Sequence, residues 1–307
     1  MRTIIKQKHI ELTTIIGCRS MCKYCPQATI VQAYFKDNPD REKELTAKNL
    51  EKYLKNIPDS MPISFAGFSE PLAAKEILKI CSVLDEQKRT VYVNTTLFNV
   101  RQDTVNNIFS NHAFEFVQIH IPDKNNWTKI KNDIDYKRKI ATVISNIDTR
   151  KTTLVFTCLG DVPEDLYNFI NRFNIKHYEN FGAEFIQDRN GYVDDFFISE
   201  RLHHKGEIIC AKTQNEFTFN VLLPDGSLCL CCMDYGLENI IGNLNENTYE
   251  EILNSDKMLQ IKEKMKEEDN DLCCRRCYFA GPVDDIIYKT ENKTVFKAVG
   301  SLIHGSF

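Results

Sequence analysis

Up to about residue 190, short runs of β-branched and aromatic residues alternate with longer stretches in which apolar residues recur at helical spacing. The short runs predict six strands, at 10–16, 63–67, 90–95, 116–121, 152–157 and 183–186. The longer stretches predict helices such as 46–57, 75–86 and 164–173. This alternation favours an α/β fold with a parallel sheet and helices outside it, either an open doubly wound sheet or a partial (β/α)6 barrel.

The pattern changes near residue 200, where we place a domain boundary. A hairpin signal at 224–227 lies within a cysteine-rich stretch, and one helix is predicted at 249–266. We therefore expect a barrel domain over 1–200, and a small extension with a C-terminal tail over 201–307.

The composition narrows the classes of function. With 307 residues, of which 42% are hydrophobic, the chain can bury a sizeable core. Its 39 basic and 43 acidic residues give a net charge of -4, without the electrostatic footprint of a nucleic-acid-binding protein. We find neither a signal-peptide pattern nor an apolar run long enough to span a membrane, and expect a cytoplasmic protein. Twelve cysteines in such a chain indicate metal or redox chemistry rather than disulfides.

Three cysteines follow the first predicted strand. Gly17 ends the strand, and Cys18, Cys22 and Cys25 then form a C-x3-C-x2-C run. Three thiolates on one loop can hold three corners of a [4Fe-4S] cluster and leave the fourth iron without a protein ligand. Such an iron can bind an amine and a carboxylate, as the methionyl group of S-adenosylmethionine (SAM) offers. Zinc is the alternative, but structural zinc usually has four ligands, often in C-x2-C pairs, and this loop has three cysteines.

The loop resembles the signature of the radical SAM superfamily, which is C-x3-C-x-aromatic-C after the first strand of the barrel. Tyr24 occupies the aromatic position, which in that family packs near the adenine. The resemblance implies a SAM-binding [4Fe-4S] cluster. It also implies that SAM is cleaved to methionine and a 5'-deoxyadenosyl radical, which takes a hydrogen atom from the substrate.

The end of the second strand is similar to the Gly-Gly-Glu-Pro motif that receives the SAM amino group in this superfamily. The stretch 64–71 would supply Gly67, Ser69 and Glu70 as cofactor-binding residues. Phe68 and Ser69 stand where the plainest form of the motif has glycines. Without the resemblance, the same stretch would be a turn with a proline at the start of a helix.

Two further residues are singled out by resemblance. Asn94, at the end of the third strand, is similar to the polar residue that meets the SAM ribose or methionyl group; a strand-terminal turn is the alternative. Arg189 lies in a stretch that resembles the S-R-A-G-N segment of aminocyclitol dehydrogenases. Its guanidinium would contact the adenosine moiety or a substrate hydroxyl, and an ordinary surface arginine is the alternative.

A second cysteine group lies in the extension. Cys210 is followed by fifteen residues, Gly226, four residues and Cys231, which resembles the C-x(9-15)-G-x4-C element of SPASM and twitch extensions. Cys274 and Cys277 add a C-x2-C pair. Four thiolates would close a site for one auxiliary [4Fe-4S] cluster, with zinc as the alternative. Because no cysteine follows Cys277, we expect a twitch-type extension with a single auxiliary cluster.

The ligand set within this group stays open, because three more cysteines lie beside the preferred ones: Cys229, Cys232 and Cys273. Cys158, at the end of the fifth strand, is a candidate donor of a hydrogen atom to a substrate radical, with a core cysteine as the alternative. His120 and Glu184 are weaker candidates for polar contacts to the substrate.

The resemblance implies a radical SAM enzyme that dehydrogenates or epimerises a small polar substrate such as a sugar, an aminocyclitol or a sugar conjugate. An electron donor such as a flavodoxin or ferredoxin is expected as a partner. Two alternatives remain, a peptide-modifying maturase and a non-catalytic zinc-binding structural protein.

Overall fold

The computed structural model describes residues 8–182, 186–194, 196–198, 201–213 and 215–283. Within these ranges, nine strands form one sheet and two more form a small second sheet. The first six strands are β1 (His9–Leu12), β2 (Ile63–Phe65), β3 (Val91–Thr95), β4 (Phe116–His120), β5 (Thr153–Cys158) and β6 (Tyr178–Phe181). The helices among them are α1 (Gln27–Phe35), α2 (Ala47–Leu54), α3 (Ile77–Glu86), α4 (Gln102–Asn111), α5 (Ile134–Asn146) and α6 (Glu164–Asn171).

Strands β1 to β6 lie side by side in chain order, and each pairs in parallel with the next. This order is that of a partial barrel, and it confirms the predicted α/β fold class. The predicted sixth strand was misplaced, because the strand that pairs with β5 is Tyr178–Phe181. Of the predicted segment 183–186, residues 183–185, including Glu184, lie outside the described residues.

The two faces of the sheet have different surroundings. Val93 and Val117 belong to the large apolar core, in which the sheet packs against the helices. Tyr92, Phe116 and Val155 form a separate small cluster on the other face. Because successive side chains of a strand alternate between faces, the polar residues in register with this small cluster line the inside of the partial barrel.

Local capping explains several helix ends. Thr46 accepts a hydrogen bond from the Asn49 amide and begins α2, as expected of an N-cap threonine. The predicted helix over 249–266 is instead two helices, α7 (Tyr249–Leu253) and α8 (Asp256–Lys264). The break is at Ser255, whose side chain accepts a hydrogen bond from the Met258 amide and starts a new helix.

Three strands of the extension continue the large sheet, and two others form the small second sheet. Its strands are β7 (Ile208–Cys210), β8 (Phe219–Leu222), β9 (Ser227–Cys229), β10 (Ile240–Asn243) and β11 (Ala280–Pro282). Strand β8 pairs in parallel with β1, and β8, β9 and β10 then follow in antiparallel order. The predicted hairpin at 224–227 joins β8 to β9. Strands β7 and β11 form the second sheet.

Among the residues that the structure describes, no helix has the length and apolar character needed to cross a membrane.

Candidate functional site

The three-cysteine loop is fixed by one glutamine at the start of α1. The Gln27 side chain accepts a hydrogen bond from the Cys18 amide at 2.9 Å and donates to the Phe68 carbonyl at 2.8 Å. Its amide nitrogen also lies 3.3 Å from the Cys25 sulfur. Gln27 therefore ties the cysteine loop to the end of β2, where the second motif begins.

The thiols of this loop are electrostatic neighbours. Burial, followed by the charge of Cys25, raises the pKa of Cys22 to about 12, and Cys18 adds to the shift. Burial also raises the pKa of Cys18, with a further contribution from Cys25. The Cys18 and Cys22 thiols can become thiolates together only beside a strong positive charge, which an iron cluster supplies.

The second motif places its residues around the same loop. Both Glu70 oxygens accept hydrogen bonds inside the protein, one from the Thr95 hydroxyl at 2.6 Å and the other from the Thr96 amide at 2.6 Å. Burial raises the pKa of Glu70, although these hydrogen bonds oppose the shift. Ser69 differs, because its hydroxyl oxygen is buried without a partner among the described residues. Ser69 is therefore free to bind a ligand, whereas Glu70 is engaged with β3.

Gly67 is required by close packing. Its φ is +63°, and an added Cβ would lie 2.4 Å from the Thr13 hydroxyl and 3.0 Å from the Thr13 nitrogen. The chain can therefore pass this close to the segment that follows β1 only with glycine here. Gly67 also donates its amide hydrogen to Glu11 at 3.3 Å.

Tyr24 contacts the end of β4. Its hydroxyl lies 2.9 Å from Nε2 of His120, and its ring meets Phe197 edge to face. Burial lowers the pKa of His120 to about 4, so the imidazole is neutral near pH 7 and can pair with a neutral phenol. Tyr24 and His120 thus form one uncharged wall at the rim of the barrel.

A cavity of about 240 Å³ lies inside the partial barrel. The cavity is lined by strands β1 to β4, by the segments that follow β2 and β6, and by the extension. Its lining residues include His9, Glu11, Ser64, Gly67, Ser69, Asn94, Gln118, Gln187, Arg189, Lys212, Cys232 and Tyr235. The cavity thus unites four predicted site residues, Gly67, Ser69, Asn94 and Arg189. Most of its side chains are polar, unlike the apolar layer between the sheet and the helices.

A buried ion pair lies at one side of the cavity. Lys212 Nζ is 3.9 Å from Glu11, 3.3 Å from the Cys232 sulfur and 4.6 Å from the centre of the Phe219 ring. Burial alone would raise the pKa of Glu11, but the hydrogen bond with His9 and the charge of Lys212 lower it to about 2. Burial would lower the pKa of Lys212, and the charges of Cys232 and Glu11 reverse that effect.

Arg189 links the cavity to both cysteine groups. Its φ is +51°, and its guanidinium lies 3.2 Å from the Met233 sulfur and 5.7 Å from the centre of the Tyr235 ring. The Tyr235 hydroxyl is in turn 3.5 Å from the Cys25 sulfur. Arg189 and Tyr235 therefore lie between the N-terminal cysteine loop and the extension.

The predicted auxiliary ligands are electrostatic neighbours. A contact with the Cys273 thiol lowers the pKa of Cys274, but burial and the charges of Cys231, Cys277 and Cys210 together raise it. Burial and the charge of Cys210 likewise raise the pKa of Cys277. The charges of these thiols therefore act on one another, and their role as the ligands of one cluster stays a prediction.

Two further observations concern metal binding. Thr213, three residues after Cys210, has a buried hydroxyl without a hydrogen-bond partner in the described part of the chain, so it can donate to a group bound there. Within the same described ranges, no three His, Cys, Asp or Glu side chains converge on a site for one metal ion. Each cysteine group suits a cluster for two reasons. Its cysteines have the spacing of a cluster motif, and its thiols interact electrostatically with one another.

Cys158 lies away from the cavity. It is fully buried in the large apolar core, on the helix-facing side of β5, and its thiol points to the Pro122 carbonyl at 3.7 Å. Its neighbour Thr157 is in register with His120 and shares the inner face. The structure therefore gives Cys158 the surroundings of a core cysteine, and we give it no role in the reaction.

Sequence reasoning did not single out Gln27, Glu11, Lys212 or Tyr235. A charged residue within an otherwise apolar strand, as Glu11 is in β1, was the available signal, because buried carboxylates are rare unless they have a partner. The partner, Lys212, lies far along the chain, and only the parallel pairing of β8 with β1 brings the two together.

Residues 210–278 match the SPASM family, an iron-sulfur cluster-binding domain. The match begins at Cys210 and includes all four predicted auxiliary ligands. A search of curated protein sequences gives no match. The resemblance of this cysteine spacing to SPASM and twitch extensions is thus confirmed, and the single cluster of a twitch-type extension stays a prediction.

Solved structures share the fold of the whole chain. BtrN in complex with AdoMet and 2-DOIA aligns with a TM-score of 0.52 at 15% identity, over 85% of this chain and 88% of that chain. Streptococcus suis SuiB bound to precursor peptide SuiA aligns with a TM-score of 0.59 at 12% identity, over 88% of this chain and 69% of that chain. Native anSMEcpe with bound AdoMet and Cp18Cys peptide aligns with a TM-score of 0.53 at 13% identity, over 88% and 86%.

These findings define the class of the protein, a partial α/β barrel followed by an iron-sulfur domain. The fold expected from the cysteine loop is confirmed: the chain has a partial barrel like that of these solved structures, followed by a region that matches the SPASM domain. The SPASM match fits an auxiliary iron-sulfur cluster in the extension, and BtrN and anSMEcpe were each solved with AdoMet bound.

Proposed function

We propose that the protein is a radical SAM enzyme that removes a hydrogen atom from a small polar substrate and thereby dehydrogenates or epimerises it. The observation that carries this proposal is the polar cavity, which Tyr235 connects to Cys25 of the three-cysteine loop. A reactive species generated at that loop would meet a substrate enclosed by the barrel.

A [4Fe-4S] cluster held by Cys18, Cys22 and Cys25 would supply the electron that cleaves SAM to methionine and a 5'-deoxyadenosyl radical. The protein's own residues bind and orient. Ser69 offers its unpartnered hydroxyl to the SAM amino group, and Asn94 offers its amide in the same cavity. Tyr24 and His120 present an uncharged aromatic wall suited to adenine.

The size and chemistry of the cavity support a small polar substrate. A volume of about 240 Å³ is at the lower end for ligand pockets, and alternating amide, hydroxyl and charged side chains suit a polyol or an aminocyclitol. BtrN, whose structure holds 2-DOIA, has a similar fold. Arg189 would contact a substrate hydroxyl through its fixed guanidinium.

The extension would take part in electron transfer. Cys210, Cys231, Cys274 and Cys277 would hold a single auxiliary [4Fe-4S] cluster, which can accept the second electron of a dehydrogenation. A flavodoxin or ferredoxin would supply electrons, and such a partner fits the cytoplasmic location that the sequence analysis predicts.

Peptide modification is the second candidate, and an open groove favours it. The groove, of about 1150 Å³, lies at the barrel rim, where Lys23, Phe98, Asp123 and Tyr136 are among its lining residues. An extended chain would fit there better than in the smaller cavity inside the barrel. SuiB and anSMEcpe, both solved with peptides, have a similar fold.

The test is the formation of 5'-deoxyadenosine from SAM by anaerobically reconstituted protein with dithionite, measured by mass spectrometry. We expect wild type to form it, and a variant with Cys18, Cys22 and Cys25 all changed to Ala to form none. If wild type also forms none under any reducing anaerobic condition, the radical mechanism is excluded and a structural zinc protein becomes the better account.

A further inference from the structure

Cys232 is the one cysteine of the extension that lines the barrel cavity among the residues that the structure describes. The SPASM match does not assign a role to Cys232. In the C-x(9-15)-G-x4-C element, the cysteine that follows Gly226 after four residues is its neighbour Cys231. The two adjacent thiols have different surroundings. Cys231 packs with Cys210, Cys274 and Cys277 against the large core.

Cys232 instead packs against a second apolar cluster that includes Phe68 and Tyr235, and Cys25 of the N-terminal loop packs against the same cluster. Tyr235 and Arg189 interact electrostatically with both Cys25 and Cys232. Cys232 therefore belongs to the reaction cavity, not to the four-thiol group.

The Cys232 sulfur is held in one position. Lys212 Nζ lies 3.3 Å from it, and Lys212 is itself fixed by Glu11 and by the face of the Phe219 ring. The cavity also contains the unpartnered Ser69 hydroxyl, which is available to a bound molecule. A thiol fixed in an enclosed, ligand-ready cavity is placed to react with a bound substrate.

We propose that Cys232 is a catalytic residue, a hydrogen-atom donor that makes the enzyme an epimerase; this inference rests on the proposed function. The 5'-deoxyadenosyl radical takes a hydrogen atom from the target carbon, which gives 5'-deoxyadenosine and a carbon radical. The Cys232 S–H bond then breaks, and its hydrogen atom forms a new C–H bond on the other side of that carbon.

The thiyl radical left on Cys232 takes up one electron and one proton to restore the thiol. The electron comes from a low-potential one-electron reductant, for which dithionite serves in the assay. The proton comes from the Lys212 ammonium, which solvent then reprotonates. Lys212 is thus a positioning residue for the sulfur and a proton source for its recovery.

The experiment compares wild type with Cys232→Ser, Cys231→Ser and Cys81→Ala, all reconstituted anaerobically. Serine keeps a polar contact to Lys212, but its O–H bond is too strong to give up a hydrogen atom to a carbon radical. Cys81, a buried thiol of α3 outside the cavity, is the matched control. Dithionite, SAM and a panel of aminocyclitols and hexose conjugates are supplied in deuterated buffer, in which thiols exchange their hydrogen for deuterium.

Two readouts are expected. Cys232→Ser retains the wild-type iron content, about eight per chain, whereas Cys231→Ser retains about four. Wild type and Cys81→Ala give an inverted product with one deuterium on the target carbon, and Cys232→Ser forms 5'-deoxyadenosine without inverted product.

A deuterium-free, two-electron-oxidised product formed equally by wild type and Cys232→Ser would overturn this inference and leave the proposed function intact. Loss of about half the iron from Cys232→Ser would also overturn it, because Cys232 would then be a cluster ligand. Absence of 5'-deoxyadenosine from wild type would overturn the proposed function, and this inference with it.

Discussion

At the scale of single residues, the site depends on charged groups that the fold removes from water. Glu11 and Lys212 have side chains that are only 9% and 10% exposed, so neither is stabilised by solvent. Breaking a buried pair by removing one partner costs more than the pair contributes when intact, because a lone charge is left behind. The two residues are therefore expected to be strongly coupled.

Changing Lys212 to Met is expected to lower the free energy of unfolding by about 3 kcal/mol, because Glu11 loses its counter-charge. The double variant Lys212→Met/Glu11→Gln leaves no buried charge and should recover most of that loss. Urea unfolding at pH 7 of wild type, the single variants Lys212→Met and Glu11→Gln, and the double variant measures the coupling. Equal loss in the single and double variants would mean that the pair is not coupled.

His120 makes the free energy of unfolding depend on pH, and the direction follows from its lowered pKa. Its pKa is lowered to about 4 in the folded protein, from an ordinary value near 6.5, so the unfolded chain binds the extra proton between these values. Stability contributed by neutral His120 is therefore lost as the pH falls from about 6.5 to about 4. The loss between pH 7 and pH 5 is expected to be about 2 kcal/mol.

The measurement is urea unfolding at pH 7 and pH 5 for wild type and His120→Asn, which keeps a partner for the Tyr24 hydroxyl but does not titrate. The difference between the two pH values should be smaller in the variant by about 2 kcal/mol. The same pH dependence in both proteins would show that His120 is not buried in its neutral form.

At the scale of elements, the β8–β9 hairpin attaches the extension to the barrel. Arg41, which follows α1, donates to the Asp225 carboxylate at 2.8 Å through Nε and to the Ser227 hydroxyl at 3.1 Å. Gly226, between these acceptors, has a φ of +87°, and an added Cβ would lie 2.5 Å from the Asn245 amide nitrogen and 2.9 Å from the Tyr53 ring. The hairpin turn therefore fits against α2 only with glycine at this position.

Gly226→Ala is expected to destabilise the protein by about 2 kcal/mol more than Gly191→Ala. Gly191 is the matched control, since its φ is +85° but an added Cβ would meet nothing within 4 Å. Both variants have the same backbone strain, and only the first adds a steric clash. Thermal unfolding compares them; equal losses would show that the turn has room to adjust.

Sequence reasoning predicted the positions of most strands and helices well, but it misplaced one strand and missed one break between helices. Strands β1 to β5 were located to within a few residues, because β-branched runs at the strand positions and capping residues such as Thr46 are local signals. The sixth strand was misplaced, since its sequence, YENF, buries Asn180 and has one apolar residue, Phe181, that only packs against the core. The break at Ser255 was missed because helical periodicity continues through it.

At the scale of the whole molecule, the large sheet extends from the barrel into the extension. The parallel pairing of β8 with β1 is long-range, and no local pattern predicts it. That pairing places Lys212 and Cys232 beside Glu11, so the cavity has walls from both parts of the chain. The cysteine motifs were readable from spacing alone, whereas the shared cavity depends on tertiary structure.

The most direct test of the central claim is the iron and zinc content per chain after anaerobic reconstitution of wild type and the Cys18/Cys22/Cys25→Ala variant. We predict about eight irons in wild type and about four in the variant, because each cysteine group holds one [4Fe-4S] cluster. Stoichiometric zinc with little iron in wild type would contradict the account, since neither a SAM-cleaving nor an auxiliary cluster would then exist.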